Sequence, residues 1–282
     1  MIERKHEIVA PLGHLKNLKR TLDLGADAVY AGLQGFSSRP KEADLSIAEI
    51  AKATKICAKH GKKIYVAINA WIQDKTPAML SEAIQELDGF GIDAIIVSDF
   101  GLLRTAARLN LRSRIHISTL AGLYNYQGAK LMKEYGVSRI ILSSDLFLDE
   151  IAALIDGEKE MEYEIIADGG ICFNSNRQCL LPHVGRADDY CVGCQMEYRL
   201  IKNEEEEPSY GIGSIPIRLG ETIGLYIALG ITSFKMEGRT NEFDYICKRL
   251  SMLRRNLDDA LQDVGKTEQY MHYIRKKGGG MK

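Results

Sequence analysis

The chain lacks any stretch of about 20 consecutive apolar residues, the length a membrane-spanning helix needs. Its opening residues, Met1–His6, also lack the apolar core of a secretory signal. A cytoplasmic location is therefore expected. Charge excess is absent too: 37 Lys and Arg stand against 38 Asp and Glu, for a net charge of −1. Whole-chain charge thus carries no nucleic-acid footprint, and only a local basic patch would provide one. No HExxH motif is present, and no Ser/His/Asp or Cys/His arrangement stands out, so the usual peptidase signatures are missing.

Cysteine is scarce as well, with six among 282 residues. Four of them, however, fall within 23 residues: Cys172, Cys179, Cys191 and Cys194, spaced C-x6-C-x11-C-x2-C. Such a cluster implies a metal, a disulfide pair or redox chemistry. Cytoplasmic thiols stay reduced, which disfavours structural disulfides. Four thiolates suit tetrahedral zinc or an iron–sulfur cluster. Structural zinc usually uses two tight knuckles, and only Cys191/Cys194 is tight. The spacing therefore leans towards a cluster, with zinc and a Cys191/Cys194 redox dithiol as the alternatives. Cys57, on an apolar helical face, reads as core, and Cys247 likewise.

What is abundant is a rhythm. Eight short apolar, β-branched runs recur: Glu7–Ala10, Ala28–Gly32, Lys63–Asn69, Asp93–Ser98, Arg114–Ser118, Arg139–Ser143, Tyr163–Ala167 and Ser233–Glu237. They are nearly continuous in hydrophobicity, as strands buried on both faces are. Helical patterns with apolar residues three and four apart lie between them, at His14–Leu24, Ser46–His60, Glu221–Leu229 and Asn241–Leu261. Gly25, Gly91, Gly136 and Gly230 each precede a strand by about three residues, in the manner of glycines that end helices. Eight β-α units predict an α/β protein with a (β/α)8 TIM-like barrel; a doubly wound open sheet is the alternative. A single barrel domain is expected over 1–270. Its cysteine-bearing insertion, 168–232, follows strand seven, and 271–282 is expected to be a disordered tail. Glu204–Glu207 followed by Pro208 reads as a solvated loop.

Barrel chemistry sits at the C-terminal ends of the strands. Those ends present Tyr30, Asn69, Ser98, Asp99, His116, Ser118, Ser143, Ser144, Asp168, Glu237 and Arg239, and the cysteine insertion starts on the same face. Each has a plain structural reading beside the functional one. His116 could be a satisfied interior histidine, Asn69 a turn cap, Asp168 an Asx-turn, and Glu237/Arg239 a rim ion pair. Arg239 also suits an anionic substrate, because guanidinium matches carboxylate bidentately.

Several of these residues form motifs. Ala10-Pro-Leu-Gly13, Gly25-Ala-Asp-Ala-Val-Tyr-Ala-Gly32, Asn69, His116-Ile-Ser-Thr119, Asn125, Cys172-x6-Cys179 and Ser233-Phe-Lys-Met-Glu-Gly-Arg239 together resemble the collagenase-like, or U32, peptidase family. The likeness runs from about Ala10 to Leu250. Leu120, Ser144-Asp145, Asp168-Gly169-Gly170 and the tight Cys191/Cys194 pair depart from the family pattern, as does the end of the chain soon after the barrel.

The resemblance implies kinship with the iron–sulfur proteins of oxygen-independent ubiquinone and RNA hydroxylation. It implies a 4Fe-4S cluster on Cys172, Cys179, Cys191 and Cys194. It also implies a small-molecule or RNA-base substrate, a prephenate-like oxygen donor and a homologous barrel partner. On that reading His116, Asp168 and Glu237 are the catalytic candidates, while Tyr30, Asn69, Ser118 and Arg239 bind substrate. A non-catalytic cluster-binding partner in a hetero-complex and a peptidase are the alternative functions.

Overall fold

The computed structural model describes residues 6–70, 77–170, 200–202, 205–207, 216–263 and 269. Eight parallel strands close on themselves: β1 (Glu7–Pro11), β2 (Ala28–Leu33), β4 (Lys63–Ile68), β5 (Ala94–Val97), β6 (Arg114–Ile117), β7 (Val137–Ile141), β8 (Glu162–Gly170) and β12 (Ser233–Met236). Closure comes from β1, which pairs with β12 on one side (Val9 beside Lys235) and with β2 on the other (Val9 beside Ala28). All eight expected strands are present, so the (β/α)8 barrel stands and the open sheet does not.

Each strand is buried twice. Ile8, Ala10, Ile64, Val66, Ile95 and Val97 face outward into one large core, packed under the helices. Val9, Tyr65, Ala67, Ala94, Ile96, Ile141 and Ile166 face inward into a second, smaller core. Alternation along each strand sends neighbours to opposite faces, and both faces are covered.

The main helices are α1 (Leu18–Asp23), α2 (Ile47–Lys59), α3 (Pro77–Phe90), α4 (Phe100–Ala106), α5 (Tyr126–Glu134), α6 (Leu148–Gly157), α7 (Ile223–Leu229) and α8 (Phe243–Gln262). In α2, Ser46 and Glu49 form a reciprocal capping box: the Glu49 amide donates to Ser46 Oγ at 3.3 Å and the Ser46 amide to Glu49 Oε2 at 3.0 Å. Such a cap contributes about 1 kcal/mol. The helix buries Ile50, Ala53, Thr54 and Cys57. Truncating Ile50 to Ala there would cost about 2–5 kcal/mol. The four junction glycines, Gly25, Gly91, Gly136 and Gly230, all have positive φ, between 76° and 99°. None of the described helices is long and apolar enough to cross a membrane.

Three details differ from expectation. The 168 boundary falls inside a strand: β8 continues through Asp168 to Gly170, because β11 (Pro216–Arg218) pairs with it antiparallel, Arg218 beside Asp168. Glu205–Glu207 is strand β10 rather than loop, paired with β9 (Leu200–Lys202) in a register that sets Glu205 opposite Lys202. A short β3 (Asp44–Leu45) extends the sheet beside β2. The four clustered cysteines and 271–282 lie outside the described residues.

Candidate active site

Closure brings the strand ends to one rim, and a layer of charge lies inside the barrel beneath it. Glu7 (β1), Arg139 (β7), Glu164 (β8) and Ser233 and Lys235 (β12) all face the interior. Arg139 Nη1 donates to Glu7 Oε1 at 2.5 Å and to Glu164 Oε2 at 3.0 Å. Lys235 Nζ donates to Glu164 Oε1 at 2.9 Å, and Tyr65 Oη to Glu7 Oε1 at 2.9 Å. Burial alone would raise the Glu7 carboxyl, but Arg139 and Lys63 outweigh it and hold Glu7 down at about 2. Opposite charges and hydrogen bonds are what make so many buried ions tolerable.

Tyr30 caps this layer. Lys235 Nζ lies 4.2 Å from its ring centroid and the Arg239 guanidinium 5.5 Å. Burial pushes the Tyr30 phenol up to about 12, with Arg239 opposing, so it stays protonated at neutral pH. Asn69, just past β4, accepts from the Ser38 amide at 3.1 Å and reaches towards Ser118 Oγ at 3.5 Å. It thereby ties the loop after β2 to the rim near β6. Ser118 Oγ also accepts from the Leu120 amide at 3.3 Å, closing a turn.

His116 sits two residues below Ser118 on β6 and is fully buried. Its ring lies edge-on to Tyr65, with centroids 4.9 Å apart, and neither ring nitrogen has a hydrogen-bond partner among the described residues. Burial first, then Arg139, Arg114, Lys235 and Lys63, hold its pKa well below the usual histidine value. The imidazole is therefore neutral at pH 7, the form that can accept a proton.

Two rim residues are committed elsewhere. Asp168 follows an irregularity in the β8–β12 register and is ion-paired with Arg249 of α8, whose Nε lies 2.9 Å away. Arg239 Nη1 donates to Asp44 at 2.5 Å and its Nη2 to Ser37 at 3.2 Å, and its side chain is 4% exposed. Gly32 makes room for that pair: a Cβ there would stand 1.9 Å from Asp44 Oδ1 and 2.0 Å from Arg239 Nη1. Glu237, instead of pairing with Arg239, has Arg39 at 3.9 Å and is 31% exposed. The Gly170 amide donates to Glu237 Oε2 at 3.4 Å. The structure therefore groups Tyr30, Arg239 and Glu237 at the mouth, with Asn69 joining the adjacent loop after β2 to Ser118. His116 lies below, and Asp168 is turned to α8.

Lys235, Glu164, Arg139, Glu7 and Asp44 were not singled out from sequence. The signal available was a lone charge at alternate positions of an apolar run, as in Glu162-x-Glu164-x-Ile166. Cys57 does lie in the core, 1% exposed, where burial pushes its thiol up to about 12. Among the described residues, no group of three or more His, Cys, Asp and Glu is placed to hold a metal ion.

With this geometry in hand, comparison with known proteins is informative. The model of peptidase family U32 matches residues 13–278. The chain belongs to peptidase family U32. U32 relatives include the tRNA hydroxylation protein P1 of Bacillus subtilis, 28% identical over 277 residues, covering 93% of this chain and 65% of that protein. The Escherichia coli 23S rRNA 5-hydroxycytidine synthase is 28% identical over 268 residues, covering 92% of this chain and 40% of that enzyme. A Porphyromonas gingivalis collagenase is 24% identical over 262 residues, covering 85% and 62%. This U32 chain thus spans about two thirds, or less, of the length of these relatives. A solved U32 peptidase superposes with a TM-score of 0.59 at 11% identity, over 84% of this chain and 95% of that one, and supports the fold.

Proposed function

We propose that this U32 chain is an iron–sulfur enzyme that hydroxylates an RNA base without molecular oxygen. The observation that carries the reading is its alignment, over more than nine tenths of its length, with hydroxylation proteins of both tRNA and rRNA. The donor chemistry fits a 4Fe-4S cluster: four soft thiolates, Cys172, Cys179, Cys191 and Cys194, fall in the sequence between two residues described at the barrel's C-terminal face. Those residues are Gly170, which ends β8, and Pro216, which pairs beside it. A cluster held by these thiolates would supply one-electron chemistry at the mouth.

The chain's own residues do the rest. Asn69 and Ser118 orient the base edge through their amide and hydroxyl groups. His116, held neutral by burial and the surrounding cations, offers a ring nitrogen as a hydrogen-bond partner below the mouth, and Glu237 moves a proton at the rim. Tyr30, held protonated, donates a hydrogen bond. Asp168 acts through Arg249 by fixing the end of β8, two residues before the aspartate's strand gives way to the cysteine segment. A prephenate-like carboxylate is the proposed oxygen donor, and the proposed setting is cytoplasmic.

The test combines two measurements. Anaerobically purified protein should be brown, with about four iron and four sulfide per chain. RNA from cells lacking the gene should lose a nucleoside heavier by one oxygen atom, and regain it on complementation. Colourless protein holding a single zinc ion would sink the proposal, as would unchanged nucleosides in the deletion strain.

A further inference from the structure

Charge is balanced over the whole chain but not along it. Between Phe100 and Lys133 there are six Lys and Arg and no Asp or Glu, whereas the chain as a whole carries −1. This segment builds α4, β6 and α5, and so forms one side of the barrel. Three of its cations are committed: Arg112 to Asp88, Arg114 to Glu162, and Lys133 to Glu158 and Glu160. Arg104 and Arg108 are exposed and carry no ion pair among the described residues. Lys130 is exposed too, its Nζ 5.2 Å from the Tyr126 ring centroid.

Residue spacing sets what this side shows. Helix α4 buries Leu102, Leu103 and Ala106, which turns Phe100 and Arg104, four residues apart, towards solvent. Arg108 follows in the next turn, its amide donating to the Thr105 carbonyl at 3.0 Å. Phe100 is 51% exposed and stands just past the end of β5, where the Asp99 carboxylate caps α4 by accepting from the Leu102 amide at 3.0 Å. Helix α5 buries Ala129 and Met132 and leaves Tyr126, its first residue, 40% exposed. An aromatic, arginine-bearing strip therefore starts at the barrel rim and leads away from it. Lys52, Lys55 and Lys59 on α2 are also exposed, but that helix carries no Phe, Tyr or Trp.

We infer that this face docks a single-stranded stretch of the RNA substrate beside the mouth. Phe100, Arg104 and Arg108 contribute from α4, and Tyr126 and Lys130 from α5. The inference rests on RNA being the substrate. Guanidinium groups grip phosphates with two prongs, and aromatic rings stack on unpaired bases of any sequence. A solvated helix face usually alternates its charges in sign, and this one does not.

The experiment is fluorescence anisotropy of the full chain, purified anaerobically, with a labelled single-stranded RNA of about 12 nucleotides across a range of salt. Wild type should bind saturably. Joint Arg104→Gln and Arg108→Gln should weaken binding and flatten the slope of log affinity against log salt by about 1.4, since each phosphate contact on a single strand contributes about 0.7. Phe100→Ala should weaken binding roughly 5- to 100-fold, and Phe100→Leu, which keeps apolar bulk without the ring, should fall with it. Joint Lys55→Gln and Lys59→Gln should lose less than the arginine pair. All these positions are exposed, and a wild-type thermal melt confirms that each variant folds. The inference is overturned if wild type binds no RNA, or if the arginine pair, Phe100→Ala or Phe100→Leu binds as wild type does. It is also overturned if the α2 pair costs as much as the arginine pair, or if Phe100→Ala instead dissociates a dimer in sedimentation, which would put a second copy of the chain on this face. Unchanged nucleosides in the deletion strain would remove the proposed reaction and leave this surface standing; RNA bound equally by wild type and the α4 variants would do the reverse.

Discussion

Replacing Arg139 with methionine tests the energetics of the barrel interior. Arg139 is 4% exposed and joins Glu7, Glu162 and Glu164. Methionine fills similar volume without charge, which leaves Glu7 and Glu164 buried with a cation missing. Glu7 measures the cost. A carboxyl lowered from 4.5 to about 2 on folding adds about 3 kcal/mol of stability at neutral pH. That contribution is fully present above pH 4.5 and is lost as pH falls through about 2. Removing Arg139 should therefore cost about 3–5 kcal/mol at pH 7, the range for breaking a buried ion pair. The deficit should shrink below pH 4.5, where wild type gives up the same contribution. Urea unfolding of both proteins across this pH range reads the effect. Adding Glu7→Gln and Glu164→Gln to the variant should restore most of the loss, because no uncompensated carboxylate then remains. A pH 7 deficit below about 1 kcal/mol, or one independent of pH, would refute the reasoning.

Other perturbations follow from the same geometry. His116 is neutral when folded and titrates near 6.5 when unfolded, so the unfolded chain binds the extra proton. Wild-type stability should then fall by up to about 1.4 kcal/mol per pH unit below 6.5, and His116→Leu should remove that part of the slope. An unchanged slope in chemical unfolding would contradict this. Gly32→Ala should drive its new methyl into Asp44 and Arg239 and cost about 3–5 kcal/mol in a thermal or urea melt; a wild-type melt would show that the pair has room to move. Under the proposed function, Cys179→Ala should lose most of its iron and visible absorbance, and full iron content would remove Cys179 from the proposed ligand set.

Much of the fold was legible because burial on both faces writes itself locally. Runs such as Ala94–Val97 contain no residue that could face water, and only a covered parallel sheet places every one of them. The junction glycines were legible for a different reason: Gly25, Gly91, Gly136 and Gly230 occupy a backbone region that side chains disfavour. Membership of the rim was readable as well, since it depends only on where each run ends. The partners of rim residues were not. Arg239 meets Asp44 from 195 positions away, and Asp168 meets Arg249 from 81 away. Glu204–Glu207 read as a loop by composition, but Glu205–Glu207 pairs as a strand, and strand pairing depends on what lies opposite.

The sequence by itself determined eight strands, their direction and which ends form the rim, because hydrophobic pattern and turn chemistry act over a few residues. It also placed four thiolates in one short segment after the seventh barrel strand. Only the tertiary structure decided which charges cancel. Closing the barrel brings Glu7 to Arg139 and Lys235 to Glu164, and the loop after β2 brings Asp44 to Arg239. A buried charge must find its partner wherever the fold provides one, and that distance in space is not encoded in distance along the chain.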